Sequence, residues 1–286
     1  MHSFDTSPRI QIPPVTLNLL IINLICYIAQ QVVPRTGVDL TGLLGLHYVT
    51  AQDFHIWQPV TYMFLHGSFS HLFFNMFALF MFGTTIERTW GAQRFLLFYL
   101  VCGLTAALSQ ELVWGLTTVR HVMGYEVIAF PDGSRMATEF FINQLLTIGA
   151  SGAVFGLLLA FGWLFPNAAI YLFFIPIPIR AKYFVIAYGV IELFLGVANL
   201  QSDVAHFAHL GGMLGGLLLI LLWRKQGKLY NAFGEAYRSE SAAPVGHHAP
   251  TGSLLAGGLY RSSVTSTATY AVDAPCRGSA LPLLLA

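Results

Sequence analysis

A serine and a histidine lie in two separate, strongly apolar stretches of this sequence. Ser151 is part of Gly149-Ala150-Ser151-Gly152, and His209 is part of Ala208-His209-Leu210-Gly211-Gly212. A serine hydroxyl becomes a good nucleophile when a base removes its proton, and a neutral imidazole, with an ordinary pKa of about 6.5, can do this at physiological pH. The pair predicts acyl transfer, with Ser151 as nucleophile and His209 as general base.

Acyl transfer also requires hydrogen-bond donors for the oxyanion that develops on the attacked carbonyl. His71 and Asn75 stand at positions i and i+4, so they share one face of another apolar segment. Polar side chains at such positions are costly in lipid unless they are paired or hydrated, which makes them functional candidates. We expect the oxyanion donors to be the His71 ring, the Asn75 amide and the backbone N–H of Ser151.

Two other titratable residues compete for a part in this chemistry. His206 lies three residues before His209, on nearly the same helical face, but it is closer to the segment end and to Asp203. We therefore expect His206 to form a solvated ion pair or a loop cap, and His209 to be the base. Glu192 is the only mid-span carboxylate, and the sequence alone leaves it open whether Glu192 joins a Ser-His dyad.

Glycines accompany both residues at helical spacing. In the first segment, Gly149, Gly152 and Gly156 stand at i, i+3 and i+7. In the second segment, Gly212 and Gly216 stand at i+3 and i+7 from His209. Faces made of small residues let membrane helices approach each other closely. We expect the two segments to pack along these glycines and thereby bring Ser151 to His209.

The elements that carry these residues are predicted to be membrane-spanning helices. Of 286 residues, 56% are hydrophobic and 9% are charged, whereas about 25% are charged in an ordinary soluble domain. A helix needs about 20 apolar residues to cross the hydrocarbon core. Six segments approach this length: 15–34, 68–86, 93–113, 145–165, 182–199 and 203–223. The predicted fold class is an all-α membrane protein, a bundle of six transmembrane helices.

Basic residues in the loops predict the orientation, because Lys and Arg concentrate on the cytoplasmic side. With a cytoplasmic N-terminus, the inner side receives Arg9, Arg88, Arg94, Arg180, Lys182, Arg224, Lys225 and Lys228. The outer side receives Arg35, Arg120 and Arg135. Both termini are then cytoplasmic. Ser151 and His209 each lie about six residues into their segments, or about 9 Å below the outer ends.

The predicted organisation has three parts. Residues 1–14 form a short cytoplasmic segment, and residues 15–225 form the membrane domain. Residues 226–286 are rich in Ser, Ala, Gly and Thr and predict a mostly disordered cytoplasmic tail. In the loop 114–144, Pro131-Asp132-Gly133-Ser134 predicts a hairpin turn.

Several functional classes fit this sequence poorly. A net charge of +1 without a basic patch argues against a nucleic-acid partner. Three cysteines without a CxxC motif indicate neither a disulfide framework nor a metal site, and no HExxH motif is present. One mid-span carboxylate does not make the charged relay of a transporter. We expect no cofactor and no metal.

Five motifs, in order along the chain, resemble those of the rhomboid family of intramembrane serine proteases. Gly149-Ala150-Ser151-Gly152 resembles its G-x-S-G nucleophile motif, and Ala208-His209 with the following glycines resembles its histidine helix. His71-Leu72-Phe73-Phe74-Asn75 is similar to the H-x-x-x-N motif of its oxyanion site. The stretch 83–91 resembles its G-x-x-x-E-x-x-x-G motif, and Trp57-Gln58 resembles a Trp-Arg signature with Gln in place of Arg.

The resemblance, which covers about residues 15 to 223, implies a fold and an activity. It implies a six-helix core that cleaves transmembrane proteins in the lipid bilayer, with Ser151 as nucleophile and His209 as base. It also implies that Phe155, four residues after the serine, packs on the histidine, where the family often has Tyr. The loop from Asn199 to Val204 would act with the fifth helix as a substrate gate.

Other interpretations of the sequence stand beside this one. A client-binding rhomboid-like protein without activity is the alternative, although such relatives typically lack the serine or the histidine. His66 is expected to be an interface residue or a secondary hydrogen-bond partner, and Glu87 a structural anchor at a helix end. The absence of a transit peptide and the compact core favour a prokaryotic cytoplasmic membrane.

Overall fold

The computed structural model describes residues 11–130, 132–172, 175–198, 205–226 and 281–283, and these residues are mainly helical. The α-helices within them are α1 Pro14–Val32, α2 Leu40–Leu44, α3 Gln58–Thr61, α4 Phe69–Ala78, α5 Thr84–Trp90, α6 Ala92–Trp114, α7 Arg120–Val122, α8 Thr138–Asn143, α9 Ser151–Leu164, α10 Ala181–Ala198 and α11 His206–Lys225. The strands are β1 Leu46–His47, β2 Val127–Ala129, β3 Arg135–Ala137, β4 Leu146–Thr147, β5 Ala169–Leu172, β6 Ile175–Arg180 and β7 Leu281–Leu283.

Some consecutive helices are continuous with each other and form longer helices. A π-helical turn, Leu79–Gly83, connects α4 to α5, and another, Gly115–Val119, connects α6 to α7. Within the described residues, five helices are long and apolar enough to cross a membrane: Pro14–Thr36, Phe69–Trp90, Ala92–Val122, Ala181–Ala198 and His206–Lys225. They correspond to five of the six segments expected from hydropathy.

The fourth expected segment, 145–165, is helical only from Ser151 onward. The residues before Ser151 form β4, which pairs antiparallel with β1, and a loop in which Gly149 has a φ of 133°. L side chains rarely adopt this backbone conformation, so glycine is required there. The expectation that Ser151 lies six residues into a helix is therefore wrong. Ser151 is the first residue of α9, a helix of 14 residues, and His209 is the fourth residue of α11.

Short strands connect the helices. β2 and β3 form an antiparallel hairpin, which confirms the turn predicted in the loop 114–144. β5 pairs antiparallel with β6 and parallel with β7. The expected N-terminal segment lies outside the described residues up to residue 10, and the expected tail lies outside them apart from Gln226 and β7.

The helix α9 lies at the centre of the core. Most of its side chains are buried, and its glycines meet side chains or backbone of α6, α10 and α11. By contrast, α1 and α10 expose many large apolar side chains, among them Ile25, Ile28, Phe194 and Val197. Apolar side chains on the outside as well as on the inside of a helix are typical of a membrane span.

The buried side chain of Glu87, on α5, contacts the start of α1. It acts there as the helix-end anchor expected from the sequence. Its carboxylate accepts hydrogen bonds from the backbone N–H of Val15 at 3.0 Å and of Thr16 at 2.7 Å, and from the Thr16 hydroxyl at 2.7 Å. The first N–H groups of a helix have no partner within the helix and carry partial positive charge. One carboxylate from α5 therefore satisfies them and attaches α1 to the bundle.

We expect Glu87→Ala to lower the free energy of unfolding by about 2 to 3 kcal/mol, because buried donors lose an ionised acceptor. Thermal unfolding of the purified protein in detergent measures this change. Glu139→Ala is the control, since Glu139 is exposed and accepts one bond of 3.2 Å from Gln52. Equal melting temperatures for the two variants would contradict the anchoring role.

Candidate active site

Ser151 is positioned by the loop that precedes α9. The Gly149 N–H donates to the Tyr62 carbonyl at 2.9 Å, and the buried Tyr62 hydroxyl donates to the Gly103 carbonyl in α6 at 2.7 Å. Tyr62 thus contacts the serine loop through its backbone and α6 through its side chain. These bonds fix where α9 begins relative to α6.

His209 lies opposite Ser151, on α11. Its Nε2 atom is 2.7 Å from the Ser151 hydroxyl oxygen, and its Nδ1 atom is 2.9 Å from Glu192 Oε2. In a neutral imidazole only one nitrogen carries a proton. Since a carboxylate only accepts, Nδ1 donates to Glu192 and the Nε2 lone pair accepts from Ser151. This is the arrangement in which an imidazole can take a proton from a serine.

An aromatic ring fixes the plane of this imidazole. Phe155, one turn after Ser151 on α9, stacks on His209 with ring centroids 4.2 Å apart and an interplanar angle of 7°. The ring of Tyr188 on α10 packs in turn on Phe155, at 5.2 Å between centroids. The stack leaves the imidazole free to rotate only within its own plane.

The glycines of α9 and α11 bring the two backbones into contact. A methyl group on Gly212 would overlap the Gly152 carbonyl group. One on Gly156 would overlap the Cys102 sulfur and lie 3.1 Å from the Gly212 carbonyl oxygen, and one on Gly216 would lie 3.5 Å from the Gly156 Cα. The two helices therefore cross at the glycines that the sequence predicted.

Gly149 does not belong to this helix contact, contrary to the expected stripe. It precedes α9 and lies against the His71 ring, since a Cβ on Gly149 would be 2.8 Å from His71 Cε1 and 2.9 Å from Nε2. The same Cβ position is 3.7 Å from the Ser151 hydroxyl oxygen. The His71 imidazole therefore lies beside the serine.

The start of α4 positions His71 and Asn75. The Ser68 hydroxyl caps this helix and accepts from the His71 N–H at 3.1 Å. The Asn75 amide donates to the His71 carbonyl at 2.9 Å. The structure thus brings His71 to Ser151 and places Asn75 where it supports the turn that carries His71.

His66 is buried, with 1% of its surface exposed, so the expectation of an interface residue is wrong. Its ring meets the His71 ring edge-on, with centroids 5.0 Å apart. Burial, and to a smaller extent the nearby His71, lower the pKa of the His66 imidazole to about 3. His66 is therefore neutral at physiological pH and adds no charge beside the serine.

Gln58, the first residue of α3, holds the segment before α4 in place through hydrogen bonds. It is fully buried, its amide donates to the Asp53 carbonyl at 2.7 Å, and its oxygen accepts from the His47 N–H at 3.2 Å. The neighbouring Trp57 indole donates to the Leu43 carbonyl at 3.1 Å. These bonds hold the loop that contains Tyr62, a role that the sequence pattern did not reveal.

The sequence left the role of Glu192 open and did not place His206 correctly. Glu192 on α10 accepts from Nδ1 of both His206 and His209, at 2.7 Å and 2.9 Å. His206 is 9% exposed and Glu192 is 6% exposed, so the expected solvated ion pair is wrong. Asp203 lies outside the described residues, as does the expected gate from Asn199 to Val204.

Comparison with known proteins identifies relatives of this chain. The rhomboid domain family matches residues 53–226. Rhomboid protease AarA of Providencia stuartii is 30% identical over 224 residues, which cover 73% of this chain and 72% of that protein. Rhomboid protein 1, mitochondrial, of Saccharomyces cerevisiae is 33% identical over 176 residues, which cover 62% of this chain and 43% of that protein.

A third relative, rhomboid protease GlpG of Haemophilus influenzae, is 31% identical over 122 residues, which cover 40% of this chain and 62% of that protein. The chain therefore spans less than half of the yeast relative and less than two thirds of GlpG. The family match and the apolar helices together identify an integral, multi-pass membrane protein.

We expect Gly212→Ala to slow labelling of Ser151 by a fluorophosphonate at least about 10-fold, because displacement of reacting groups by about 1 Å can cost about 100-fold in rate. The added methyl must push α11 away from the Gly152 carbonyl. Gly189→Ala on α10 is the matched control, since its methyl would lie 3.3 Å from the end of the flexible Met213 side chain. Labelling of Gly212→Ala at the wild-type rate would contradict the close-contact model.

Proposed function

The chain belongs to the rhomboid family, and we propose that it is an intramembrane serine endopeptidase that cleaves membrane-spanning segments of other proteins. The observation that carries this proposal is the contact of 2.7 Å between the Ser151 hydroxyl and His209 Nε2. Relatives of this chain are named proteases. Their names support the reaction class, and the geometry at Ser151 supports the mechanism.

The proposed reaction proceeds through an acyl-enzyme. As the Ser151 oxygen attacks the scissile carbonyl, His209 Nε2 takes the hydroxyl proton and then donates it to the leaving amine. The substrate's acyl group is left on Ser151. A water molecule deprotonated by His209 then hydrolyses this ester and restores the free serine.

The oxyanion would lie at the N-terminus of α9. Ser151 is the first residue of this helix, and N–H groups in a first turn have no partner within the helix. The helix dipole adds partial positive charge there. The Ser151 N–H and the His71 ring are the proposed donors, with the Asn75 amide as a third. Phe155 would keep the His209 ring aligned during both proton transfers.

The membrane arrangement is part of the same proposal. The loop and helix from residue 145 to residue 164 would together complete a sixth crossing, with Ser151 below the membrane surface and accessible to water. Both termini would be cytoplasmic, with a membrane domain over 15–225 flanked by segments 1–14 and 226–286. The proposed location is the cytoplasmic membrane of a prokaryote, and the partners are transmembrane substrates and lipid.

The alternative function is that of a rhomboid-like protein that binds membrane clients without cleaving them. Such a protein needs neither an activated serine nor an aligned base. Here the hydrogen bond of 2.7 Å, the ring stack and the helix contact all serve to align His209 with Ser151. These features favour the protease over the client-binding protein.

We expect Ser151→Ala to reduce cleavage of a generic transmembrane substrate in liposomes by at least about 10⁴-fold, since loss of a catalytic serine removes the covalent route. Fluorophosphonate labelling should disappear in the same variant. Ser134→Ala, which changes an exposed hairpin serine, is the control and should keep both activities. Full cleavage or unchanged labelling after Ser151→Ala would rule out Ser151 as the nucleophile.

The base is tested by a second pair of variants. His209→Ala should abolish labelling, because His209 Nε2 is the group hydrogen-bonded to the Ser151 hydroxyl at 2.7 Å. Labelling that survives in His209→Ala but disappears in His206→Ala would show that His206 is the base.

A further inference from the structure

One buried carboxylate oxygen joins the two histidines of α11. Glu192 Oε2 is 2.7 Å from His206 Nδ1 and 2.9 Å from His209 Nδ1. The two imidazoles stand three residues apart on α11, with their ring planes at 89° to each other. All three side chains are buried. The Ser151–His209 dyad accounts for neither of these two contacts, and His206 has no role in it.

The chemistry of the donors indicates how the cluster is held. An ionised carboxylate is an acceptor only, and an oxygen has room for two donors. Burial of a carboxylate costs several kcal/mol unless hydrogen bonds compensate it. Two imidazole N–H groups directed at one oxygen provide that compensation, and they do so only if each Nδ1 carries its proton. Glu192 therefore determines which nitrogen of His209 is protonated, and His206 donates to the same oxygen.

We propose that Glu192 is a positioning residue that makes the dyad a Ser151–His209–Glu192 triad, and that His206 is a second positioning residue that holds the Glu192 carboxylate. This inference rests on the proposed proteolysis. Glu192 keeps the proton of His209 on Nδ1, so that the Nε2 lone pair faces Ser151. It also lies beside the imidazolium that forms when the serine proton moves to Nε2, and so stabilises that charge in a site of low polarity.

Two contacts of His209 fix different aspects of its ring orientation. The stack with Phe155 fixes the plane of the ring, and the bond to Glu192 fixes its rotation within that plane. His206 occupies the second acceptor position of Oε2 and so restrains the carboxylate. Without His206, Glu192 keeps its charge but loses one of the two bonds that orient it.

A metal site is the other chemistry that these ligand atoms could support, since they lie within 4.8 Å of one another. A cation on Nδ1 of His209 would displace its proton and leave the proton of a neutral ring on Nε2. Nε2 could then no longer accept the Ser151 proton. The Nδ1–Oε2 distances of 2.7 Å and 2.9 Å are hydrogen-bond distances, whereas two ligand atoms at about 2.0 to 2.1 Å from one tetrahedral cation lie about 3.3 Å apart. The geometry favours hydrogen bonds over metal ligation.

The central test is Glu192→Gln, which keeps the shape of the side chain and removes its charge. We expect kcat for a transmembrane substrate to fall about 100-fold or more, since loss of the orienting carboxylate in a serine protease triad can cost about 10⁴-fold. KM should change little, and the melting temperature in detergent should fall modestly, because the Gln oxygen can still accept from both histidines but without the charge. Wild-type kcat in Glu192→Gln would overturn the triad.

His206 offers a matched pair of variants. The Asn side-chain amide can occupy the place of Nδ1 and donate to Glu192, whereas Phe keeps a ring without a donor. His206→Asn should therefore stay within about threefold of wild-type kcat, and His206→Phe should fall about 10-fold. Equal kcat values for these two variants would overturn the role of His206, whether or not Glu192→Gln folds.

A double variant tests whether His206 acts through Glu192. If it does, His206→Phe should slow the Glu192→Gln protein no further, because coupled residues are not additive. A further 10-fold loss would overturn this linkage. Activity that EDTA removes and Zn²⁺ restores in the wild type, but not in His206→Phe, would assign the cluster to a metal and overturn the proposal.

These results can be separated from a failure of the proposed function. If the wild type shows Ser151-dependent cleavage and Glu192→Gln matches it, the protease stands and the triad does not. If Ser151→Ala cleaves as fast as the wild type, the protease itself is wrong, whatever the Glu192 variants do.

Discussion

The residues at the crossing of α9 and α11 are glycines, and without side chains the two backbones come into contact there. The position that a Gly212 methyl would occupy is already filled by the Gly152 carbonyl group. In lipid, helices gain little from hiding apolar surface, so close packing and polar contacts determine which faces meet. A hydroxyl and an imidazole on facing helices can be 2.7 Å apart only if little stands between those helices. The rest of the site depends on this contact.

The contact brings the helices together, but it does not determine where α9 starts. That point is set by the loop before α4, in which the buried Gln58 holds the chain and Tyr62 binds both Gly149 and α6. The positive φ of Gly149 then turns the chain into α9, so that Ser151 is its first residue. The segment before α4 and the contact between α9 and α11 thus both fix the position of the Ser151 hydroxyl.

The sequence predicted what depends on local spacing. Ser151, His209 and the crossing glycines follow from residue type and helical period, and the Pro-Asp-Gly-Ser turn predicted the hairpin. The start of α9 was missed because Leu145, Leu146 and Ile148 are apolar and look like the beginning of a span. What makes them non-helical is pairing of β4 with β1, about 100 residues earlier in the chain. No local pattern contains that information.

The same reasoning explains why Glu192 remained open. Helical period shows which residues share a face, but the rotation of α10 against α11 depends on contacts between them, such as the small residue Gly196 beside Phe207 and His206. That rotation directs Glu192 at both histidines. Much of the remaining surface of α10 is apolar and exposed, so the polar cluster is a substantial part of what holds this end of α10.

This coupling links the position of α10 to the alignment of the base. A hydrogen bond to a charged group contributes about 1.5 to 3 kcal/mol, and Glu192 makes two such bonds to α11. A displacement of α10 away from α11 that is large enough to break these bonds would leave the His209 ring free to rotate in its plane. Nε2 would then lose its alignment with the Ser151 hydroxyl.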